Sequence, residues 1–383
     1  MLRSAIVMAM AVAPLGAQMR LDLSMPANQK AVGVFEDLWR QKGDGKRQTL
    51  DCKISTVPPS LGFDLRLWAG YTFNMPLTDF KGQNRARLSA VIRLEPLEPA
   101  GKAVYLGRRL TIPRIPDEPP KRLFVSAGGG FVLGAGRYRA SLMIADARGR
   151  WCAKSWTIKA KEPRGGASLL SRGEVADAYA GWVGFRAPEE GEMPRRATVV
   201  INAFPVTRRR HLAALSWRDQ STLMNVLGSL LSRGGYHSAR VVAVDLLNRQ
   251  VVYDEPRFAP GSFDGLADAL GTVNLATVDY QTLAQGPSEH QFLESVVKEI
   301  SNGADPGEIV FITPPSRPPR RAGVRDEGVW EGLRRPAVLA LLPRPVPEGT
   351  VIDVAKRAKG RIFSIYTPSD LASAVERMSS GRP

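Results

Sequence analysis

The stretch that most constrains the fold is a short apolar run that ends in prolines. Residues 308–313 read EIVFIT, a composition typical of a parallel strand that is buried on both faces. In an open α/β sheet, ligands bind beyond the carboxyl ends of such strands. Here Pro314 and Pro315 follow, and proline offers neither a charge nor a backbone N–H. The sequence therefore predicts an α/β sheet with an unusual binding edge.

Strand and helix patterns alternate from Thr198 to the end of the chain. Apolar residues at Leu223, Val226, Leu227, Leu230 and Leu231 have helical spacing and stop at two glycines. The other predicted elements are strands at 198–206, 309–313, 337–342 and 362–365, a hairpin of 239–246 with 250–253, and helices at 288–300 and from Thr367 onward. This order predicts a doubly wound α/β domain over residues 198–383, with one reversed edge strand.

Residues 50–161 change to a period of two. Residues 63–67 and 88–94 alternate, and so does a hairpin at 136–156. Short strands without helical periodicity predict an antiparallel β-sandwich. The hairpin resembles those of immunoglobulin-like and transthyretin-like exported modules, which implies an Ig-like sandwich. The glycine-rich run at 127–136 lacks the spacing of a nucleotide-binding loop, so we expect a flexible turn there.

The chain begins with a pattern typical of an export signal. Arg3 precedes an apolar run and the small residues Gly16 and Ala17, so residues 1–18 are predicted to be a signal peptide cleaved near Ala17, with an uncleaved anchor as the alternative. Residues 19–49 are a lead-in with a short helix at 26–41, and the Gly- and Pro-rich residues 162–197 are the expected linker. No later stretch is apolar enough to span a membrane, so we expect export to the periplasm, the cell surface or the medium.

Two cysteines, Cys52 and Cys152, lie about a hundred residues apart, a spacing unlike zinc or thioredoxin-type motifs. In an exported chain the simplest use is one structural disulfide within the sandwich. Two separately buried thiols are the alternative.

Positive charge is concentrated in the first half of the chain. The whole sequence has a net charge of +16, and residues 19–170 contain 26 Lys and Arg against 13 Asp and Glu. Residues 198–383 contain 22 against 19. A basic first domain is able to bind polyanions such as polysaccharide, nucleic acid or lipid headgroups. Without basic runs interleaved with aromatics, there is no specific nucleic-acid signal, and a compositional bias toward Arg is the simpler interpretation.

The order of elements after Thr198, with IVFIT as a central strand and GRIFSIYTPSDLASAVERM at the end, resembles a von Willebrand factor A-type (VWFA) domain. Exported bacterial VWFA-related proteins often combine such a domain with β-rich modules. The family's metal site uses Asp-x-Ser-x-Ser, a Thr and a second Asp to hold Mg²⁺. The resemblance places the first motif on residues 202–206, which begin at Asn202, the Thr on Thr277 and the second Asp on Pro314. We therefore expect no bound metal and no cofactor.

Arginines follow three of the predicted strands on the side where the metal would lie. They are Arg208, Arg209 and Arg210 after the first strand, Arg317, Arg320 and Arg321 after the fourth, and Arg344 after the fifth. Because Arg binds carboxylates bidentately, these groups are predicted to receive an acidic group of a protein partner directly. Solvated loops are the alternative.

Catalytic motifs are missing from the sequence. It contains no G-x-S-x-G, H-E-x-x-H or P-loop pattern, and His211, His237 and His290 stand at positions typical of surface or capping residues. We therefore predict a non-catalytic exported protein that binds a protein partner through a metal-free VWFA-like domain. The alternative is a polyanion-binding protein that acts through its basic β-sandwich.

Overall fold

A computed structural model describes residues 18–43, 49–163, 168–177, 185, 194–206, 214–275, 288–302, 307–314, 336–341 and 349–380. The chain forms two compact units. The first comprises Met1–Ser60, Arg66–Glu162 and Ser168–Ala180, and the second comprises Leu61–Leu65, Pro163–Ala167 and Gly181–Pro383. The protein is thus a multidomain α/β protein rich in sheet.

The first unit contains one helix and two sheets. The helix is α1 (Pro26–Gly43), and the strands are β1 (Met19–Arg20), β2 (Lys53–Leu61), β3 (Leu67–Pro76), β4 (Ala86–Glu98), β5 (Val104–Ile112), β6 (Phe124–Leu133), β7 (Gly136–Asp146), β8 (Trp151–Ala160) and β9 (Val175–Asp177). One sheet has the order β1-β5-β4-β7-β8, and its neighbouring strands are antiparallel. The other has the order β2-β3-β6-β9. Strand β9 lies within the segment that the sequence assigned to a linker.

The alternation of apolar and polar residues along the strands determines which side chains form the core of this unit. In β4, residues Leu88, Ala90, Ile92 and Leu94 are buried and their neighbours are more exposed. The predicted hairpin at 136–156 is confirmed as β7 and β8, with a turn in which the Asp146 side chain accepts from the backbone N–H groups of Arg148 and Arg150. The two faces of β7 are both buried, and the outer one contacts α1.

The disulfide prediction is also confirmed. Cys52, which directly precedes β2, is bonded to Cys152 in β8, with 6.3 Å between their Cα atoms. The bond therefore connects the two sheets of the unit. Helix α1 covers the opposite face of β8 through Phe35, which packs against Met143 and Trp151.

Two local expectations were wrong. The glycines at 128–130 lie inside strand β6 and not in a turn. A Cβ at Gly129 would meet the side chains of Gln18 and Tyr71, so this strand needs glycine for space. The alternating residues 63–66 form a turn and not a strand, because Leu65 adopts a positive φ of 54° and its N–H donates to the Gly62 carbonyl.

The second unit alternates strands and helices. The strands are β10 (Arg196–Asn202), β11 (Ser238–Asp245), β12 (Gln250–Glu255), β13 (Glu308–Thr313), β14 (Ala337–Leu341) and β15 (Arg361–Ile365). The helices are α2 (Trp217–Arg233), α3 (Ser262–Gly271), α4 (Glu289–Asn302), α5 (Thr350–Arg357) and α6 (Pro368–Ser379). Helices α3 and α5 were not predicted from the sequence, whereas the start of α6 at a Thr367 cap followed by Pro368 is confirmed.

These strands form one sheet with the order β12-β11-β10-β13-β14-β15. All neighbours are parallel except β11 and β12, which form the predicted hairpin with one reversed edge strand. One face of the sheet packs against α4 and α5 in an apolar core. Helix α2 contacts both α3 and α6, and these three helices contact strands β12 to β15 of the sheet. Among the described residues, no helix is long and apolar enough to cross a membrane.

Candidate functional site

The five parallel strands of the second unit end at one edge of the sheet. Their last residues are Asn202, Asp245, Thr313, Leu341 and Ile365, and together they define the carboxyl-terminal edge. In open α/β sheets this is the edge at which ligands bind, most often where the strand order reverses. Here that point lies between β10 and β13, so the ends of these two strands are the first place to look for a site.

Asn202 and Thr313 meet where β10 and β13 end. The Asn202 Nδ2 donates to Thr313 Oγ1 at 3.1 Å, and the Thr313 hydroxyl donates to the Pro314 carbonyl at 3.0 Å. Asn202 is only 2% exposed, and its Oδ1 has no hydrogen-bond partner within the described part of the chain. Asn202 and Pro314 thus lie near each other at the ends of two neighbouring strands, and neither residue carries a charge.

Asp245, at the end of β11, is committed to its own turn. Its Oδ1 accepts from the backbone N–H groups of Leu247 and Asn248, and its Oδ2 accepts from Asn248 Nδ2 at 2.7 Å. The same amide nitrogen donates to the Asn274 carbonyl at 2.9 Å. This carboxylate therefore fixes the β11–β12 hairpin, which explains why it is buried at the edge.

Asp219 anchors the chain on both sides of the segment that carries Arg208–210. Its Oδ1 accepts from the Val206 N–H at 3.1 Å, and its Oδ2 accepts from the Ser216 hydroxyl at 2.5 Å. Ser216 in turn caps helix α2 by accepting from the Asp219 N–H. The segment that leaves β10 and the segment that enters α2 are thus both hydrogen-bonded to the buried Asp219 carboxylate.

Large apolar side chains are exposed along this same edge. In the described part of the second unit the exposed large hydrophobic residues are Trp217, Val251 and Tyr366, at 76%, 44% and 46% exposure. Trp217 begins the helix that follows β10, Val251 is the second residue of β12, which starts at this edge, and Tyr366 directly follows β15. All three therefore lie at the carboxyl-terminal edge.

Sequence reasoning missed these three residues. Trp217 precedes the apolar helical repeat that begins at Leu223, so the predicted helix did not include it. The signal that would have placed it is Ser216 with Asp219 three residues later, which marks a helix start. Arg218, beside Trp217, is also exposed. Arg218 forms no ion pair with any other described residue, and its guanidinium faces solvent.

The arginines predicted to receive a partner, Arg208, Arg209, Arg210, Arg317, Arg320, Arg321 and Arg344, all lie outside the described residues, as does Thr277. Their positions in the chain follow the ends of β10, β13 and β14. Because those three parallel strands end together, the segments leave the sheet from the carboxyl-terminal edge.

At the opposite, amino-terminal edge, Glu308 is the centre of a network of charged and polar groups. Glu308 at the start of β13 accepts from Arg195 Nη2 and from the Tyr236 hydroxyl, both at 2.9 Å, and lies 3.4 Å from Arg361 Nη2. Burial, with Glu308 next to it, raises the pKa of Tyr236 well above its usual value. This cluster joins the starts of four strands, β10, β11, β13 and β15, and has the character of a structural network.

The two described histidines each lie beside a polar group of another segment. His237 Nδ1 accepts from the Arg195 N–H, and His290 Nε2 is 3.9 Å from Asp353 Oδ2. His211 lies outside the described residues. Over those residues, no group of three or more His, Cys, Asp or Glu side chains is arranged to hold a metal ion.

Comparisons with known proteins add little to this picture. No protein-family model matches the sequence, and no curated protein is similar to it. Among solved structures, the chain is similar to the structural genomics target SoR45, with 16% identity over 32% of this chain and 91% of that one and a TM-score of 0.21. It is also similar to the putative ApaA protein from Bordetella pertussis, with 12% identity over 30% of this chain and 97% of that one and a TM-score of 0.20.

Proposed function

We propose that this protein is a non-catalytic, exported protein whose second unit is a VWFA-like domain that binds a protein partner without a metal ion. The observation that carries the proposal is the exposure of three large apolar side chains, Trp217, Val251 and Tyr366, along the carboxyl-terminal edge. Exposed apolar side chains that gather on one surface are typical of protein interaction sites. Tryptophan, tyrosine and arginine are also the residues that most often dominate binding energy at interfaces.

The width of the edge suits a protein ligand. Val251 belongs to the strand at one side of the sheet, and Tyr366 follows the strand at the other side. Five spacings between neighbouring strands separate the two edge strands, or roughly 24 Å. A surface of this width is comparable with one side of a standard protein interface.

Charge at the edge favours an acidic partner group. Arg218 is exposed, and the seven arginines predicted to bind a partner follow β10, β13 and β14 in the sequence. A metal-dependent site would need several hard oxygen ligands, usually carboxylates, whereas Asn202 and Pro314 occupy the two positions in question. Guanidinium groups bind a carboxylate directly and bidentately, so the arginines take over the role that a cation has in metal-dependent relatives.

Export is supported by the disulfide. The Cys52–Cys152 bond joins the two sheets of the first unit, and such structural bonds persist in oxidising compartments. The element order of the second unit, with a six-stranded sheet and one reversed edge strand, supports the VWFA-like assignment.

The test is capture of a protein from extracts of the host by the immobilised mature chain in the presence of EDTA. We expect one protein to be retained, and to be lost with Trp217→Ala and with the triple change of Arg208, Arg209 and Arg210 to Ala. Matched controls are Phe124→Ala, an aromatic 56% exposed in the first unit, and Lys298→Ala, an exposed cation near the end of α4. Capture that survives both edge variants, or that EDTA abolishes, would overturn the proposal.

A further inference from the structure

The first unit contains a basic groove at one end of its sheets. The groove has a volume of about 760 Å³, within the range of ligand-binding clefts, and it is formed by segments of β4, β7 and β8 and by the chain before β9. Its charged lining residues are Glu98, Arg137, Lys159, Lys161, Glu162 and Arg172. The neutral part of the lining consists of proline, glycine and two alanines, so the groove has a small, smooth floor.

The cations of this groove outnumber its anions. Glu98 pairs with Arg137, whose Nη2 lies 2.8 Å from Glu98 Oε1. Lys159 stands directly opposite Arg137 across β7 and β8, and both side chains are exposed. Like charges opposite each other in a sheet are destabilising, and an anion bound between them would remove that cost.

Three cations remain available for such an anion. Lys159, Lys161 and Arg172 form no ion pair with any other described residue. Glu162 is the one lining carboxylate besides Glu98. The groove therefore keeps an excess of positive charge on a concave surface, where the field is stronger than on a flat one.

The backbone that presents Arg172 is firmly attached to the sheets. Gly173 N–H donates to the Ala135 carbonyl at 3.1 Å, and Gly134 N–H donates to the Glu174 carbonyl at 2.9 Å. The buried Tyr138 hydroxyl donates to the Gly134 carbonyl at 2.7 Å. Gly173 has a φ of 79°, and a Cβ there would lie 2.7 Å from Pro99 Cγ, so glycine is needed for this close approach. Arg172 is thus held over the groove by fixed backbone.

We propose that this groove binds a segment of an acidic polysaccharide that carries sulfate or phosphate groups. Lys and Arg are the side chains that bind such oxyanions, and a groove of this size accommodates several groups of one chain. None of the described residues that line the groove is aromatic, so they offer no platform on which nucleic-acid bases stack. The groove is concave and six of its ten described lining residues are charged, which favours a polymer chain over a flat lipid surface.

The test uses a heparin-derived hexasaccharide and the mature protein, measured by titration calorimetry at several salt concentrations. We expect the double variant Lys159→Gln/Lys161→Gln to bind about tenfold more weakly and to lower the salt dependence by about two released counterions. The matched control is Lys121→Gln/Arg122→Gln. These exposed residues precede β6, whose ten residues place them roughly 30 Å from the groove.

Each result separates the alternatives. Equal weakening in both double variants would mean that overall charge and not the groove binds the hexasaccharide, and no binding by the unaltered protein would also overturn the proposal. Tighter binding of a single-stranded oligothymidine than of the hexasaccharide would assign the groove to nucleic acid and contradict it. Trp217→Ala should bind the hexasaccharide normally, since the groove does not depend on the carboxyl-terminal edge.

Discussion

Thr313 is predicted to hold the end of β13 to the end of β10. The Thr313 hydroxyl accepts from Asn202 Nδ2 at 3.1 Å and donates to the Pro314 carbonyl at 3.0 Å. Asn202 and Thr313 are each at most 3% exposed. Thr313→Val keeps the shape and removes these hydrogen bonds. Because Asn202 Oδ1 already lacks a partner in the described chain, the variant leaves the whole buried amide unsatisfied. Such a group costs about 1–3 kcal/mol.

The assay is native-state hydrogen exchange of peptides from β10 and β13, which reports the second unit alone. A loss of about 2 kcal/mol increases exchange there by roughly 30-fold. The matched control is Thr272→Val, which removes a hydroxyl that donates to the Ala269 carbonyl at an exposed helix end, and it should change exchange little. The double variant Asn202→Leu/Thr313→Val should recover most of the loss, since removal of both polar partners is nearly neutral. An unchanged Thr313→Val, or a double variant as unstable as the single one, would refute the reasoning.

Three further predictions concern the first unit. Replacing Cys52 and Cys152 by Ser should lower the free energy of unfolding of the first unit by about 4.7 kcal/mol, which is the chain-entropy value for a loop of 100 residues. Denaturant unfolding measures this difference, and a decrease of less than about 1 kcal/mol would contradict the prediction. Gly173→Ala should lower the free energy of unfolding by about 1–2 kcal/mol for the left-handed backbone, with a further loss from the close contact with Pro99. The loss should therefore exceed that of Gly149→Ala, where φ is 78° but no atom lies near the added Cβ. Burial raises the pKa of Tyr138 to about 12, so its neutral form stabilises the fold fully below pH 10 and this contribution is lost between pH 10 and 12. Tyr138→Phe should make the alkaline fall in stability less steep, and an equally steep fall in urea titrations would speak against it.

The fold was predictable where the spacing of apolar residues in the sequence matches the pattern of buried side chains in the strand or helix. Strand β13 is buried on both faces and reads as continuous apolar sequence, and α6 begins with a Thr cap and a proline. Helix α5 has only eight residues, too few for a helical repeat to stand out. At residues 63–66 the alternating pattern was misleading, because Leu65 takes a positive φ that no propensity argument assigns to leucine.

The candidate site was only partly predictable. Strand order brings Asn202 and Thr313 together, whereas the alternation of elements in the sequence predicted only a doubly wound sheet with one reversed edge strand. Exposure of Trp217 did not follow, because a tryptophan beside an apolar helical repeat usually packs into the core. The basic groove was also hidden, since its residues come from four separate segments and become neighbours only when the sheets form.

The central claim is that the carboxyl-terminal edge works without a divalent metal ion. Its most direct test is thermal unfolding of the mature protein with and without millimolar Mg²⁺, Mn²⁺ or Ca²⁺. We expect no saturable change in the transition temperature, because the resemblance assigns its two metal-binding carboxylates to Asn202, a neutral amide, and to Pro314. A saturable upward shift, approaching the roughly 2.7 kcal/mol expected at 100 times the dissociation constant, would contradict it and restore metal-dependent adhesion.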